Sequence, residues 1–78
     1  MTVEILSPEK SIYVGEAAFV SLPGSDGSLG ILDNHAPLIT TLKAGMVKLE
    51  DDKGKTQSFE VRGGTVEVLK NRVIILAE

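Results

Sequence analysis

Two stretches of this sequence hold residue types that could do chemistry. "GSDGSLGILDNHAPL" runs from Gly24 to Leu38 and combines glycines at Gly24, Gly27 and Gly30 with the chain's single histidine, His35. "EDDKGK", Glu50 to Lys55, gathers carboxylates around two lysines. Spaced glycines cradle a phosphate when a helix N-terminus follows and aims its amides at the anion. Here "LGILDNHAP" follows, which reads as strand and then proline, and no "GK[ST]" closes the run. The glycines suit a β-hairpin that needs positive φ instead. His35 would act as a general base only with Ser25, Ser28 or Thr40 beside it and an acid to orient the ring. As a metal ligand it has only Asp33 close by and no cysteine to add. "DNHAP" has turn composition, with Asp33 and Asn34 suited to bonding local backbone. His35 is therefore expected to be a structural or interface residue.

The acidic stretch is too short for a calcium loop of about twelve residues and puts lysine among the ligands. It reads as a solvated hairpin tip. It also admits a sharper reading. Lys53, between Asp52 and Gly54, loosely fits the exposed hairpin lysine of a lipoyl or biotinyl carrier domain, which is likewise small, acidic and all-β. That alternative stays open on the residues alone.

Composition limits the remaining choices. With 78 residues the chain makes one domain, 1–78, and buries a modest core. It has no cysteine, so disulfides, thiolate metal sites and thiol redox chemistry are excluded, and an intracellular or membrane-face setting is expected. The net charge is −3, the basic residues are scattered, and the aromatics are Tyr13, Phe19 and Phe59. Nucleic-acid binding would need a basic stripe interleaved with stacking rings, so it is not expected. No apolar run approaches the roughly 20 residues of a membrane-spanning helix. "MTVEILSPEK" does not read as a signal peptide.

The elements that must position these stretches alternate with a period of two. "TVEILS", "SIYVGEAAFVSL", "GMVKLED", "QSFEVRG" and "TVEVLK" put branched or aromatic residues on one face and polar ones on the other. "RVIILA" is a nearly continuous apolar run, as in a strand buried on both faces. Turn chemistry recurs between them in "LPGSDG", "DDKGK", "RGG" and "LKNR", where Lys70 and Asn71 fit a tight hairpin. The expectation is an all-β fold: a small two-sheet β-sandwich of about eight to ten short strands. Val3, Ile5, Phe19, Val20, Leu22, Ile31, Leu42, Val47, Leu49, Phe59, Val61, Val66, Val68, Ile74 and Leu76 are expected to point inward.

With these residues in view, "GSDGSLGILDNHAPLITTLKAGMVKL" resembles the N-terminal β-sandwich domain of the epsilon subunit of F-type ATP synthases. The resemblance is carried by Gly27 to Leu32, His35 to Leu38, Leu42 to Gly45, "VRGGTVEVL" from Val61, "RVIILAE" from Arg72 and the opening "SPEKSIYVGEA". It covers essentially the whole chain in order. It implies a non-catalytic rotor part with no cofactor, bound to the gamma subunit of the central stalk and resting on the c-ring. The membrane association would be peripheral, at the cytoplasmic face of a bacterial inner membrane or at a plastid thylakoid. By the resemblance, the hairpin tip Ser25, Asp26, Gly27, Ser28 and Leu29 meets the c-ring loops. His35, Ala36, Pro37 and Leu38 lie at the gamma- or ring-facing end, and an aspartate at Leu38 should weaken assembly while leaving the domain folded. The sequence departs from the family where Ser28 replaces an often acidic residue and where Asp33 and Ala44 stand in place of proline. Family members commonly continue into an inhibitory C-terminal helical hairpin. The resemblance within these residues supports coupling and implies no nucleotide site.

Overall fold

The period-two alternation does produce strands, and the computed structural model describes residues 1–78 as strands joined by turns and short loops. The strands are β1 (Thr2–Leu6), β2 (Ser11–Glu16), β3 (Phe19–Gly24), β4 (Gly27–Leu32), β5 (Leu38–Glu50), β6 (Thr56–Leu69) and β7 (Arg72–Ala77). They hydrogen-bond in the order β2-β1-β7-β6-β5-β3-β4. β1 runs parallel to β7, with Val3 opposite Val73 and Ile5 opposite Ile75. The other neighbours are antiparallel.

There are thus seven strands rather than eight to ten. Two pairs of expected strands merge. "PLITTLKAG" and "GMVKLE" become β5, and "TQSFEVRG" and "TVEVL" become β6. The "RGG" step was expected to be a turn, but the ladder between β5 and β6 runs through it, with Leu42 opposite Gly64 and Lys43 opposite Gly63. Gly63 and Gly64 hold φ of 145° and 137°, values that side chains rarely adopt. They bend the strand and keep its register: the ladder skips Ala44–Arg62 and resumes at Gly45–Val61.

That bend makes two layers from one ladder. β7 pairs with β6 only from Gly64 onward, while β3 pairs with β5 mainly at its far end, from Lys48 to Glu50. One layer is therefore β2, β1, β7 and the C-terminal half of β6. The other is β3 and β4 with the far half of the β5–β6 hairpin. Pro23, which has no N–H to give, sits where β3–β5 pairing jumps from Ser21–Lys48 to Gly24–Leu42. The stacking is direct: Tyr13 of β2 and Phe59 of β6 are three strands apart in the ladder, yet their ring centroids lie 5.1 Å apart. Between the layers lies one core of buried residues, which includes Val3, Ile5, Val20, Ile31, Val47, Val61, Val66 and Val68. Each fully buried branched side chain of this kind contributes about 1.5–3 kcal/mol.

The inward phase differs from expectation in places. Val73, Ile75 and Ala77 point into the core, whereas Ile74 is half-buried and Leu76 is 51% exposed. "RVIILA" is apolar in both phases, so its own pattern does not choose; pairing with inward Val3 and Ile5 does. β7 is accordingly buried on one face and not on both. Phe19, also expected inside, lies on the outer face over Gly30. Phe59 is half-buried at the margin of the core beside Tyr13.

A β-carbon at Gly64 would collide with the Leu76 carbonyl, whereas one at Gly54 would meet open space, although both glycines hold positive φ. Gly54→Ala should therefore cost only the backbone strain, about 1–2 kcal/mol. Gly64→Ala should cost clearly more and lower the denaturant midpoint further. Equal midpoints would mean that the bend tolerates a side chain.

Candidate partner-binding surface

β3 and β4 are joined by the tight turn Ser25–Asp26, closed by the pair Gly24–Gly27. Gly27 follows with a φ of 136°, which explains glycine at this point. The tip leans on β5. The Ser25 amide donates to the Thr41 carbonyl at 3.0 Å, and the Thr41 hydroxyl donates to Ser25 Oγ at 2.8 Å. Ser25, Asp26 and Ser28 are exposed, while Leu29 is half-buried against the core. Leu38 is also half-buried there. Together with Thr40 and the tip residues Ser25 to Leu29, it lines a depression of about 180 Å³. The structure thus brings the tip and Leu38 into one surface.

The other expected contact residues lie apart from that depression. His35, Ala36 and Pro37 are exposed on the loop between β4 and β5. A turn starts the loop, with the His35 amide donating to the Leu32 carbonyl at 3.2 Å and Asn34 at a φ of 61°. A single positive φ at the third position is the mark of a type II turn, which takes Gly or Asn there. Pro37 reaches a second groove, of about 340 Å³, lined with Leu38, Ile39, Glu67, Val68 and Leu69. Leu38 stands between the two depressions.

His35 Nδ1 donates to the Ala36 carbonyl at 2.7 Å, which fixes the proton on Nδ1 because a carbonyl only accepts. The ring has no hydrogen bond to Ser25, Ser28 or Thr40; the Ser25 hydroxyl is bonded to Thr41 instead. Asp33, the nearest acid in sequence, binds the Met1 ammonium at 2.6 Å. The parts of a nucleophile–base–acid relay therefore do not meet. Lys53 sits at the exposed tip between β5 and β6. Asp51 Oδ1 accepts from the Lys53 and Lys55 amides at 2.9 Å each, so local turn geometry accounts for Asp51, two residues before Lys53.

The sequence reading missed the exposed apolar residues beside these positions. Ile39 is 74% exposed, Leu32 62% and Leu69 46%. Ile39 and Leu69 line the Pro37 groove. The signal was present in the alternation. Leu38 and Leu42 take the inward phase of β5, which leaves Ile39 in the solvent phase, where a branched apolar residue has no core to fill.

Residues 1–78 match the family described as ATP synthase, Delta/Epsilon chain, beta-sandwich domain. The chain belongs to this delta/epsilon family. It is 46% identical over 76 residues to the ATP synthase epsilon chain of Delftia acidovorans, an alignment that covers 97% of this chain and 55% of that one. Its fold is similar to a chain of the Euglena gracilis mitochondrial ATP synthase structure, OSCP/F1/c-ring in rotational state 1. The TM-score there is 0.89 at 21% identity, covering 96% of this chain and 48% of that one. It is also similar to a chain of the Tetrahymena thermophila mitochondrial ATP synthase central stalk/c-ring structure, with a TM-score of 0.80 at 22% identity and coverage of 99% and 62%. The chain thus spans about half the length of the Delftia relative, and between about half and three-fifths of the two solved chains. The motifs that carried the resemblance now have places in the fold. "HAPL" is the β4–β5 loop and the start of β5, and "RGG" is the bend that joins the layers.

Burial separates two neighbouring substitutions that the resemblance alone did not. Leu38 packs on the core, so Leu38→Asp should cost the fold about 2 kcal/mol or more. The variant should therefore be less stable than the resemblance alone implies. Ile39→Asp, on the exposed phase, should stay within about 0.5 kcal/mol of the parent. Thermal unfolding of the two variants checks this, and a stable Leu38→Asp would show that the half-buried contact is dispensable.

Proposed function

We propose that the chain is a non-catalytic part of an ATP synthase central stalk, which couples rotation of the c-ring to the gamma subunit. The observation that carries this reading is membership of the delta/epsilon family over the whole of residues 1–78. It would associate with the membrane peripherally, through the complex, at the cytoplasmic face of a bacterial inner membrane.

The physical requirements of such a part fit the molecule. A body that passes torque must not shear. One continuous ladder folded over a close-packed core resists shear, because one layer cannot slide without breaking the hairpin it shares with the other. Contact with partners would use the tip Ser25 to Leu29 towards the ring. The loop His35 to Pro37, with the groove beside it, would meet a neighbouring subunit. Ile39, Leu32 and Leu69 supply apolar area there. Two contacts of roughly 800 Å² each, the size of a standard interface, would take about a third of the 4871 Å² surface. Assembly would thus add to the modest stability of so small a domain. At the tip, Ser28 offers a hydroxyl and no charge, so the ring contact would rest on shape and hydrogen bonds.

Two variants test the reading in cells that depend on the complex. Ile39→Asp should reduce co-purification of the chain with gamma by about tenfold or more, with the fold intact. Ser28→Glu should change association with the c-ring and make it salt-dependent. Unchanged co-purification for Ile39→Asp, and a ring contact indifferent both to Ser28→Glu and to deletion of Asp26 to Ser28, would remove both surfaces from the account.

A further inference from the structure

The exposed segment Asp33 to Pro37 is held by very few bonds. At its start the His35 amide donates to the Leu32 carbonyl at the end of β4, and within it the His35 ring meets Ala36. Beyond the adjoining β4 it makes two polar contacts: Asp33 Oδ1 takes the Met1 ammonium at 2.6 Å, and the Asn34 amide donates to Asn71 Oδ1 at 2.8 Å. Asn71 is far away in sequence, in the turn between β6 and β7, where Lys70 and Asn71 hold φ of 50° and 60°. Both central residues at positive φ mark a type I′ hairpin turn, and glycine would fill the second of them without steric cost. Asparagine there supplies a side-chain acceptor that glycine lacks. Its backbone carbonyl is used as well, accepting from the Thr2 amide at 3.1 Å, so the turn is fixed to β1 while its side chain reaches the loop.

We infer that Asn71 is a positioning residue for the β4–β5 loop: its Oδ1 on the Asn34 amide, with the Met1 ammonium on Asp33, presets the turn that presents His35, Ala36 and Pro37 to a partner protein. The inference deepens the proposed function and rests on its reading of that loop as a contact. The physics is preorganisation. A loop held in one conformation before docking loses less freedom on binding. Pro37 fixes its own φ and restricts Ala36, so Asp33 to His35 need an external tether. The tether comes from the layer opposite β4, so the shape of the loop is tied to the closure of the sandwich.

Asn71→Gly tests this cleanly, because it keeps the turn conformation and deletes only the side-chain acceptor. In the 78-residue chain, amide exchange at Asn34 should rise about tenfold, while core ladder amides such as Val47 and Val66 keep their rates. Capture of the chain by purified gamma should weaken roughly three- to tenfold. Asn71→Asp, which retains an acceptor oxygen, should restore both. Unchanged exchange at Asn34 would overturn the inference. Faster exchange with unaltered capture would overturn it too, and His35→Ala measured in parallel says what else falls. If His35→Ala weakens capture, the loop is a contact that needs no presetting. If it also has no effect, the proposed contact fails with the inference.

Discussion

The constraint on which the rest of this structure depends is the β5–β6 hairpin, paired in one register from Leu38–Val68 to Glu50–Thr56, with only Ala44 and Arg62 left unpaired. It is the only element that belongs to both layers. Its near half extends the β2-β1-β7 layer, and its far half carries β3 and β4. The hairpin passes through the Gly63–Gly64 bend without losing register, so one layer folds over the other while the same two strands stay partners, and the ladder is interrupted only at Ala44–Arg62. A side chain at Gly64 would collide with β7, which makes the bend a property of two particular residues. The core then follows, since the inward phases of both layers come to face each other.

The contact surface is a by-product of the same geometry. Folding the sheet brings the end of β4 near the start of β1 and near the β6–β7 turn, and the Asp33–Met1 and Asn34–Asn71 contacts form there. The tip of β3–β4 lies against Thr41, just before the bend. Leu38 begins the strand that crosses the fold, with one depression on each side of it. A surface tied to the closure of the sandwich in this way takes its position from the two layers. That property suits a part whose proposed work is to pass force between neighbours.

Much of this was legible in the sequence. Alternation located β1, β2, β3, β6 and the far half of β5. β7 was read from its apolar run, the Lys70–Asn71 turn was visible as a hairpin, and eleven of the fifteen residues named as inward are buried. The misses have physical causes. "RVIILA" is apolar in both phases, so only its partners decide which residues face the core. "RGG" carries turn composition, yet a ladder on both sides turns the same glycines into a bend within a strand. Ile39 reads as core by type and as surface by phase, and phase prevailed. The Asn71–Asn34 bond joins positions far apart in sequence, where no local pattern signals it. The contact residues themselves were read from a resemblance, because exposed loop residues leave no period to detect.

The central claim is that one continuous ladder makes the two layers a single mechanical body. Native-state hydrogen exchange tests it most directly, by comparing the opening free energies of amides in β1 and β7 with those in β3 and β4. The account predicts that both sets open only with global unfolding, at the same free energy and with the same denaturant dependence. If β3 and β4 open by a separate, lower-energy route while β1 and β7 stay protected, the layers are independent and the claim is wrong.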